Sequence, residues 1–376
     1  KGNSYAGGFA GRLMPGDVAQ TGSVKLLGLL NVTQLLSVMD VAYPRISDSG
    51  IEGNDLKVTA SGKNGDVAIG DAGGYIGNGK AVIVKNSNVT NVKEITAPYH
   101  AGGYIGIMRS GSAVEAGDAT GDLLNSVLGK ILNLKELASV LQAASSKITN
   151  CKVSGITNGM TVTAESGMAN AEGYAGGFAG RMMPGDVAQT GSVKLLGLLS
   201  VTQLLSVMDV AYPRISDSSI EGKNLVVTAS GKNDDVALGD AGGYIGNGKA
   251  VMVKNSDVTN VKEVTAPYHA GGYIGIMRSG SAAEAGDATG DLLNSVLGKI
   301  LSLKELASVL QAASSKITNC KVAGTADGLT VTADSGFENA EGYAGGFVGE
   351  MQSGHVDNSA NAVDSGKGTA VENLLK

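Results

Sequence analysis

The residues of this chain that are best suited to chemistry are two cysteines and three histidines. Cys151 and Cys320 are separated by the same interval as His100 and His269, and His355 is the third histidine. Such side chains could bind a metal, form a disulfide or, with a serine and an aspartate, make a catalytic triad. No histidine has a cysteine or a second histidine at metal-ligand spacing, and the shared interval puts both cysteines at one position of a repeated unit. We therefore predict free, buried thiols and structural histidines.

Acidic residues suggest a second kind of site. Asp118 and Asp122, with their equivalents Asp287 and Asp291, form short segments similar to a calcium loop, but the third acidic position and the closing Glu of an EF-hand are missing. Capping of a following helix explains these aspartates better, and calcium binding near Asp118 and Asp287 is the alternative. The glycine-rich segments also lack the Lys-Ser/Thr ending of a phosphate loop, and no serine lies in a G-x-S-x-G elbow.

Polysaccharide lyases and hydrolases are a third possibility, because some of them are β-helices with clustered carboxylates or a basic cleft. Asp17, Asp71, Arg12 and Arg109 supply those residue types, and each recurs at that same interval further along the chain. An enzyme normally has one site that departs from the repeat, whereas equivalent positions favour a scaffold or a multivalent binder. Thr161-Val162-Thr163 occurs once per repeat, which is too sparse for an ice-binding ladder. We predict a non-enzymatic protein without a catalytic residue, cofactor or metal site.

Composition narrows the class of protein further. Glycine supplies 57 of the 376 residues and 43% of the residues are hydrophobic, so the chain can bury a core. The glycines occur in spaced pairs, which excludes collagen. A net charge of −6 argues against a nucleic-acid partner, and the absence of a run of about 18 uncharged apolar residues predicts no membrane-spanning segment. A start at Lys1, with neither Met nor a signal peptide, is what we expect of a fragment.

The chain repeats itself over long intervals. The segment Tyr5-Ala-Gly-Gly-Phe9 returns at 174–178 and at 343–347, and the first two copies differ at about 21 positions without a gap. Such self-similarity indicates a tandem array. We predict a first repeat at 5–173, a near-identical second repeat at 174–342, and a partial third repeat or terminal coil at 343–376 that lacks a leucine-rich insertion.

A shorter motif recurs within each long repeat. A glycine pair followed by aromatic-x-Gly occurs seven times, beginning at Gly7, Gly73, Gly102, Gly176, Gly242, Gly271 and Gly345. A second motif, apolar-x-Asn/Asp-Ser/Cys-x-apolar, follows it, as in Val84–Val89 and Ile148–Val153. The shortest unit, residues 73–101, has alternating runs typical of one coil of a β-solenoid. We predict a mainly β protein, a right-handed parallel β-solenoid (β-helix) of about seven coils, with glycines at its corners and stacked asparagines in hydrogen-bonded ladders.

Two leucine-rich insertions interrupt this pattern in each long repeat. Residues 22–41 and 120–147 place leucine, valine and isoleucine at helical spacing, and Thr120 and Asp122 could cap the second segment. We predict amphipathic helices in two of every three coils, packed beside the solenoid or against one another.

The paired motifs resemble the GLUG motif. Gly102–Gly106 with Asn150–Val153, and Gly73–Gly77 with Asn86–Val89, carry the resemblance, which covers all seven units but not the insertions. GLUG motifs occur in repetitive surface proteins of Gram-positive and gut bacteria, including IgA-protease-like filamentous regions. The resemblance implies a β-solenoid on a secreted or wall-anchored protein, and it transfers no catalytic residue.

These inferences favour a structural or adhesive stalk segment of a bacterial cell-surface or extracellular protein. We expect its partners to be neighbouring repeats or copies of itself, which would build filaments, and host or cell-surface glycans. The alternative is a carbohydrate-binding or carbohydrate-cleaving β-helix with exposed aromatics and carboxylates on one face. The main aromatics, Tyr43, Tyr75, Tyr99 and Tyr104, mostly lie beside glycine corners and predict a poor platform for sugars.

Overall fold

Short parallel strands make up most of the protein wherever its structure is described. The computed structural model describes residues 2–15, 25–26, 30–31, 43–64, 67–111, 145–165, 170–185, 194–195, 199–200, 212–233, 236–280, 314–336 and 341–353. No helix occurs among these residues, and their strands form four parallel sheets, named here sheets A to D, with a few short antiparallel ladders. The protein is mainly β, and the architecture is compatible with a β-solenoid.

Sheets A and B have seven strands each, and in both the strands are stacked in chain order. Sheet A consists of Ser4–Gly7, Gly70–Gly73, His100–Gly102, Tyr174–Gly176, Asp240–Gly242, His269–Gly271 and Tyr343–Gly345. Sheet B consists of Ala10–Leu13, Ile76–Lys80, Ile105–Arg109, Ala179–Met183, Ile245–Lys249, Ile274–Arg278 and Val348–Gln352.

Sheets C and D follow in the same manner. Sheet C has six strands: Arg45–Ser47, Ile83–Lys85, Lys147–Thr149, Arg214–Ser216, Met252–Lys254 and Lys316–Thr318. Sheet D has eight: Ile51–Thr59, Val89–Ala97, Lys152–Gly155, Thr161–Ala164, Ser219–Ala229, Val258–Ala266, Val322–Gly324 and Thr330–Ala333. The antiparallel ladders join Lys25–Leu26 to Leu30–Asn31, Lys63–Asn64 to Val67–Ala68, Lys194–Leu195 to Leu199–Ser200, and Lys232–Asn233 to both Asn170–Ala171 and Val236–Ala237.

The chain visits the four sheets in a fixed order. A strand of sheet A is followed by one of sheet B, then sheet C, then sheet D, and one such passage is called a circuit here. The described strands make six complete circuits and the first two strands of a seventh. Strands of successive circuits pair in parallel, so that Ala72 pairs with both Ala6 and Ala101. The register continues without a break from the first long repeat to the second, where Gly102 pairs with Gly176.

The glycine motif marks places where two backbones touch. In the motif that starts at Gly73, a Cβ on this first glycine would lie 1.9 Å from the carbonyl oxygen of Ile76. A Cβ on Gly74 would lie 2.1 Å from the carbonyl oxygen of Gly103 in the next circuit. Cβ atoms do not approach carbonyl oxygens so closely in packed proteins. Glycine is required here by contact, both within a corner and between corners.

The aromatic residue of the motif forms one continuous stack along the protein. Successive rings have centroids 4.8–5.0 Å apart and planes inclined by 4–15°, in the order Phe9, Tyr75, Tyr104, Phe178, Tyr244, Tyr273 and Phe347. The five inner rings are 0% exposed. They belong to a single apolar core that draws on all four sheets, with Ala72, Ile76, Val84 and Ile95 as examples. Aromatic stacking therefore adds to ordinary burial at every step between circuits.

The structure corrects the helix predictions where it describes them. Lys25–Leu26 and Leu30–Asn31, inside the predicted helix 22–41, pair as antiparallel strands, so the prediction is wrong at these residues. Short runs of leucine are compatible with the periodicity of a helix and with that of a strand, so the sequence pattern wrongly favoured a helix here. Lys147, the last residue of the predicted helix 120–147, begins a strand of sheet C. Apart from 145–146, which are not helical, the rest of both ranges lies outside the described residues.

Two equivalent glycines provide a test of backbone contact between circuits. A Cβ on Gly177 would lie 2.0 Å from the carbonyl oxygen of Gly243, whereas a Cβ on Gly346, its counterpart in the third copy of the motif, would meet nothing within 4 Å. We expect Gly177→Ala to lower the free energy of unfolding by about 3 kcal/mol through overpacking. The matched variant Gly346→Ala should change it by less than about 0.5 kcal/mol. Urea denaturation of both variants measures this difference, and equal costs would contradict the contact.

Candidate functional site

Asparagine and aspartate side chains form a ladder at the turn between sheets C and D. These residues have positive φ values of 49–53° and are Asp48, Asn86, Asn150, Asp217, Asn255 and Asn319. The Nδ2 of Asn86 donates to Oδ1 of Asp48 at 2.8 Å, and the Nδ2 of Asn150 donates to Oδ1 of Asn86 at 2.9 Å. The second long repeat has the same bonds. The predicted asparagine ladder is confirmed.

The residue after each of these turns belongs to a second ladder. It is Ser49, Ser87, Cys151, Ser218, Ser256 or Cys320, and its side chain donates to the carbonyl oxygen two residues earlier. The distance is 2.8–2.9 Å for the hydroxyls and 3.3 Å for the two thiols. The cysteines therefore occupy a position that serine fills in the other circuits.

The thiols match the sequence prediction in one respect and differ in another. Both thiols are free. Cys151 is buried, whereas Cys320, which lies in the last complete circuit, is only half-buried. Burial raises the pKa of the Cys151 thiol, so this group stays protonated and unreactive near neutral pH.

Asp71, Asn78 and His100 form a buried polar cluster on sheets A and B. They are only 4%, 6% and 1% exposed. The Asp71 carboxylate accepts a hydrogen bond from Nδ2 of Asn78 and lies 2.6 Å from Nδ1 of His100. Asp71 and His100 are register partners in sheet A, and Asn78 lies on the following strand of sheet B. Because an ionised carboxylate only accepts hydrogen bonds, it holds the proton of the neutral imidazole on Nδ1.

Aromatic rings and an arginine enclose this imidazole. The Tyr174 ring stacks on His100 with centroids 5.4 Å apart, and the Tyr99 ring is tilted against it at 3.9 Å. The Arg181 guanidinium lies 4.6 Å from the centre of the Tyr174 ring. Its Nη1 also donates to the Tyr99 hydroxyl at 3.4 Å, so the arginine links both tyrosines.

Burial is the main influence on the charge of His100. It lowers the pKa of the imidazole below the ordinary 6.5, and the positive charges of Arg181 and Arg109 lower it further. Hydrogen bonding to Asp71 and the negative charge of that residue act in the opposite direction without overcoming the burial. His100 is therefore neutral in the folded protein at physiological pH.

The second long repeat contains the same cluster with one difference. Asp240 lies 2.6 Å from Nδ1 of His269 and accepts from Nδ2 of Asn247. Glu350 stands where the earlier repeats have arginine, and its Oε2 lies 2.5 Å from Nε2 of His269. The imidazole of His269 thus lies between two carboxylates, whereas the imidazole of His100 has two arginines near it.

An imidazole oriented by a carboxylate is the arrangement that general bases use. In the part of the chain that the structure describes, however, Nε2 of His100 is buried without a hydrogen-bond partner, and so no nucleophile is presented to it. The described ranges also hold no group of three or more histidine, cysteine, aspartate or glutamate residues that could hold a metal ion. The geometry suits a structural cluster that fixes sheet A against sheet B.

The structure locates only some of the residues singled out from the sequence. It brings Asp71 and His100 together, a pairing that the sequence analysis missed; the signal was their separation of 29 residues, the length of the shortest unit. Arg12 lies over the Tyr5 ring, at 5.1 Å from its centre. Outside the described residues lie Asp17, Asp118, Asp122, Asp287, Asp291 and His355, and with them the calcium alternative.

A column of threonines was also missed. Thr59, Thr96, Thr163, Thr228, Thr265 and Thr332 occupy one register position of sheet D. The signal was an apolar-Thr-Ala segment in each of the six complete circuits, and Thr161-Val162-Thr163 includes only one of these six threonines. The neighbouring column includes the ion pair between Lys57 and Glu94, with Nζ and Oε2 3.1 Å apart. Charges beside the threonines interrupt the flat hydroxyl plane that ice binding would need.

Comparisons with known proteins give no relative for this chain. No family model matches it, and no curated protein or solved structure matches it either. Among the described residues, no helix has the length and apolar character needed to cross a membrane.

The two thiols should differ in reactivity. Cys151 is 0% exposed with a raised pKa, and Cys320 is half-buried, so we expect a thiol reagent to label Cys320 at least about tenfold faster at neutral pH. The variants Cys151→Ser and Cys320→Ser assign the two rates, since serine already fills this ladder position elsewhere. Equal labelling rates in the folded protein would contradict the burial of Cys151.

His100 should make the protein sensitive to acid. Its folded-state pKa lies below 6.5, so the unfolded chain binds the proton more tightly, and stability is lost as the pH falls below about 6.5. We expect His100→Gln to flatten the decline in the free energy of unfolding between about pH 7 and about pH 5. Urea denaturation across this range measures the slope, and an unchanged slope would show that His100 is not buried in its neutral form.

Proposed function

We propose that this chain is a structural and adhesive stalk segment of a repetitive bacterial cell-surface or extracellular protein. In this proposal each circuit is one coil of a right-handed β-solenoid of about seven coils, since parallel strands joined by crossovers are almost always right-handed. The function is mechanical: stacked backbone ladders hold a rod together, and the glycine corners keep its cross-section constant.

The observation that carries this proposal is the continuity of the ring stack across the repeat boundary. The step from Tyr104 to Phe178, which joins the two long repeats, has a centroid distance of 4.8 Å, and the next step to Tyr244 has 4.9 Å. The contact between repeats is therefore the same as the contact within a repeat. Arrays with such nearest-neighbour contacts extend by adding units, as a stalk requires.

The cell-surface location rests on the resemblance of the glycine and asparagine motifs to GLUG repeats. Both motifs have structural roles here, because the glycines permit backbone contact and the asparagines form a ladder along the molecule. Close backbone contact and a continuous ladder of hydrogen bonds are the interactions that would stabilise a rod on the cell surface.

The alternative function is a β-helix that binds or cleaves carbohydrate. It would need an exposed aromatic and acidic face, but Tyr75 and Tyr104 are 0% exposed within the ring stack, and Asp71 is buried against His100. These positions favour the stalk over a sugar-binding platform.

Removal of one repeat tests the stalk. Deleting residues 174–342 joins Gly173 to Tyr343, which begins the same Tyr-Ala-Gly-Gly-Phe sequence as Tyr174, so the junction is preserved. At the usual strand spacing we expect the particle to shorten by about 14 Å along the direction in which the circuits stack, with an unchanged cross-section. Small-angle X-ray scattering of the monomer measures both quantities.

Duplication of residues 174–342 is the matched control, and it should lengthen the particle by the same amount. A particle that grows or shrinks in all dimensions would contradict the stalk and favour the carbohydrate-active alternative.

A further inference from the structure

Sheet C turns one side toward the core and the other side away from it. The middle residue of each strand packs in or against the core, and these residues are Ile46, Val84, Ile148, Ile215, Val253 and Ile317. The residues before and after each of them point outward, because side chains alternate between the two faces of a strand. Strand pairing places the outward residues in two columns that run from circuit to circuit.

Positive charge collects on this outward side, which is called the basic face here. Its first column is Arg45, Ile83, Lys147, Arg214, Met252 and Lys316. Its second column is Ser47, Lys85, Thr149, Ser216, Lys254 and Thr318. Each complete circuit thus contributes one cation, and neither column contains an aspartate or a glutamate. Since the whole chain has a net charge of −6, this face has the opposite sign.

The basic face runs along the side of the circuit stack. Lys85 and Lys254, in the second and fifth circuits, are exposed, and Lys147 and Arg214, in the third and fourth, are half-buried between their neighbours. Among the described residues, no ion pair includes any of the six cations. The aspartates at the turn beside the second column already accept hydrogen bonds from asparagines of the ladder. The positive charges of this face are therefore not compensated within the described structure.

The boundary between the long repeats brings two of these cations together. Lys147 and Arg214 are register partners on neighbouring strands, and like charges placed side by side destabilise a sheet. Sheet D shows the usual solution, because Lys57 is the register partner of Glu94 and their Nζ and Oε2 atoms lie 3.1 Å apart. An anion that lies across Lys147 and Arg214 would remove the repulsion between them.

We propose that the basic face binds a linear acidic polysaccharide, a chain of uronic acids with one carboxylate on each sugar. The chain lies along the stack, so that successive carboxylates meet the cations of successive circuits. One circuit advances about 4.8 Å, which is close to the length of one sugar in an extended 1,4-linked chain. The inference rests on the proposed adhesive function, because it names the ligand to which the segment adheres.

The residues beside the cations favour a sugar over other polyanions. Where the second column has no lysine it has serine or threonine, whose hydroxyl groups can bond to the hydroxyls of a sugar. Ile83 and Met252 lie between the cations of the first column and offer apolar contact to the C–H groups of a pyranose ring. Neither column has an aromatic ring on which the bases of a single-stranded nucleic acid could stack. Recognition is therefore by charge and hydroxyl groups, without an aromatic platform.

Removal of charge from the basic face tests the inference. The probe is a galacturonic acid oligomer of about six sugars, one for each complete circuit, and calorimetry at low salt measures its binding to the 376-residue chain. We expect Lys85→Thr combined with Lys254→Thr to weaken binding by about tenfold. Threonine already fills this column in the third and sixth circuits, so the variant should fold. Addition of Lys147→Gln and Arg214→Gln should bring the loss to at least about 100-fold.

A matched control removes the same charge from another face. Lys57→Thr combined with Lys262→Gln takes two cations from sheet D, and we expect binding to stay within about twofold of the original chain. The stability of the free chain gives a second readout. Lys147→Gln should raise the midpoint of urea unfolding at low salt, because it relieves the repulsion with Arg214, whereas loss of a purely structural lysine would lower this midpoint.

Other outcomes overturn the inference. These are no binding of the oligomer, equal binding of its uncharged methyl ester, and an equal loss of binding in the sheet D control. Tighter binding of single-stranded DNA, or of vesicles that contain an anionic lipid, would assign the basic face to a different polyanion and overturn it as well. None of these results counts against the stalk, because the length change on deleting a repeat is measured without ligand. A particle that fails to shorten along the stack would count against the stalk alone.

Discussion

Contact between backbone atoms at the glycine corners is the constraint on which the other interactions depend. A Cβ on the second glycine of each of the first six motifs would lie only 2.0–2.4 Å from the carbonyl oxygen of the corresponding glycine in the next circuit. Any side chain there would separate successive corners. The aromatic ring follows this glycine directly, so the same separation would pull apart rings that now lie 4.8–5.0 Å from one another. A glycine that contributes no side chain thus sets the distance at which the largest side chains can stack.

The polar ladders keep to the same spacing by a different route. Each asparagine amide has both a donor and an acceptor, so it can bond to the circuit before it and to the circuit after it. Asp48 and Asp217 can only accept, and each accepts from the asparagine of the following circuit. Each long repeat therefore starts a new run of three side chains, Asp-Asn-Asn, while the ring stack continues past the boundary. The apolar core joins the repeats more evenly than the polar surface does.

Much of this architecture is legible in the sequence, for reasons that particular residues make clear. Gly73 and Gly74 recur in every motif because a residue with a Cβ does not fit where two backbones touch. Asn86 recurs as asparagine or aspartate because its turn has a positive φ, so parallel stacking and the asparagine ladder could be predicted. The pairing of Asp71 with His100 could not, because it joins two circuits and depends on the register between them. The leucine-rich segment around Leu26 and Leu30 was misjudged, since its pattern is satisfied by a strand pair as well as by a helix. A short motif predicts the geometry of its own turn. Contacts between circuits can be predicted only by comparing residues that are one repeat unit apart in the sequence.

Because the contacts between repeats are the same as those within a repeat, the number of repeats can change without new contacts. Near-identical tandem units in a gene recombine out of register, and each such event adds or removes whole units. In most proteins an inserted segment as long as one of these repeats would create unmatched surfaces. Here the new unit meets its neighbours through the Tyr104–Phe178 step that is already present, and every glycine corner finds the corner that it fits. A change in the number of repeats would therefore keep the same ring and backbone contacts at every boundary.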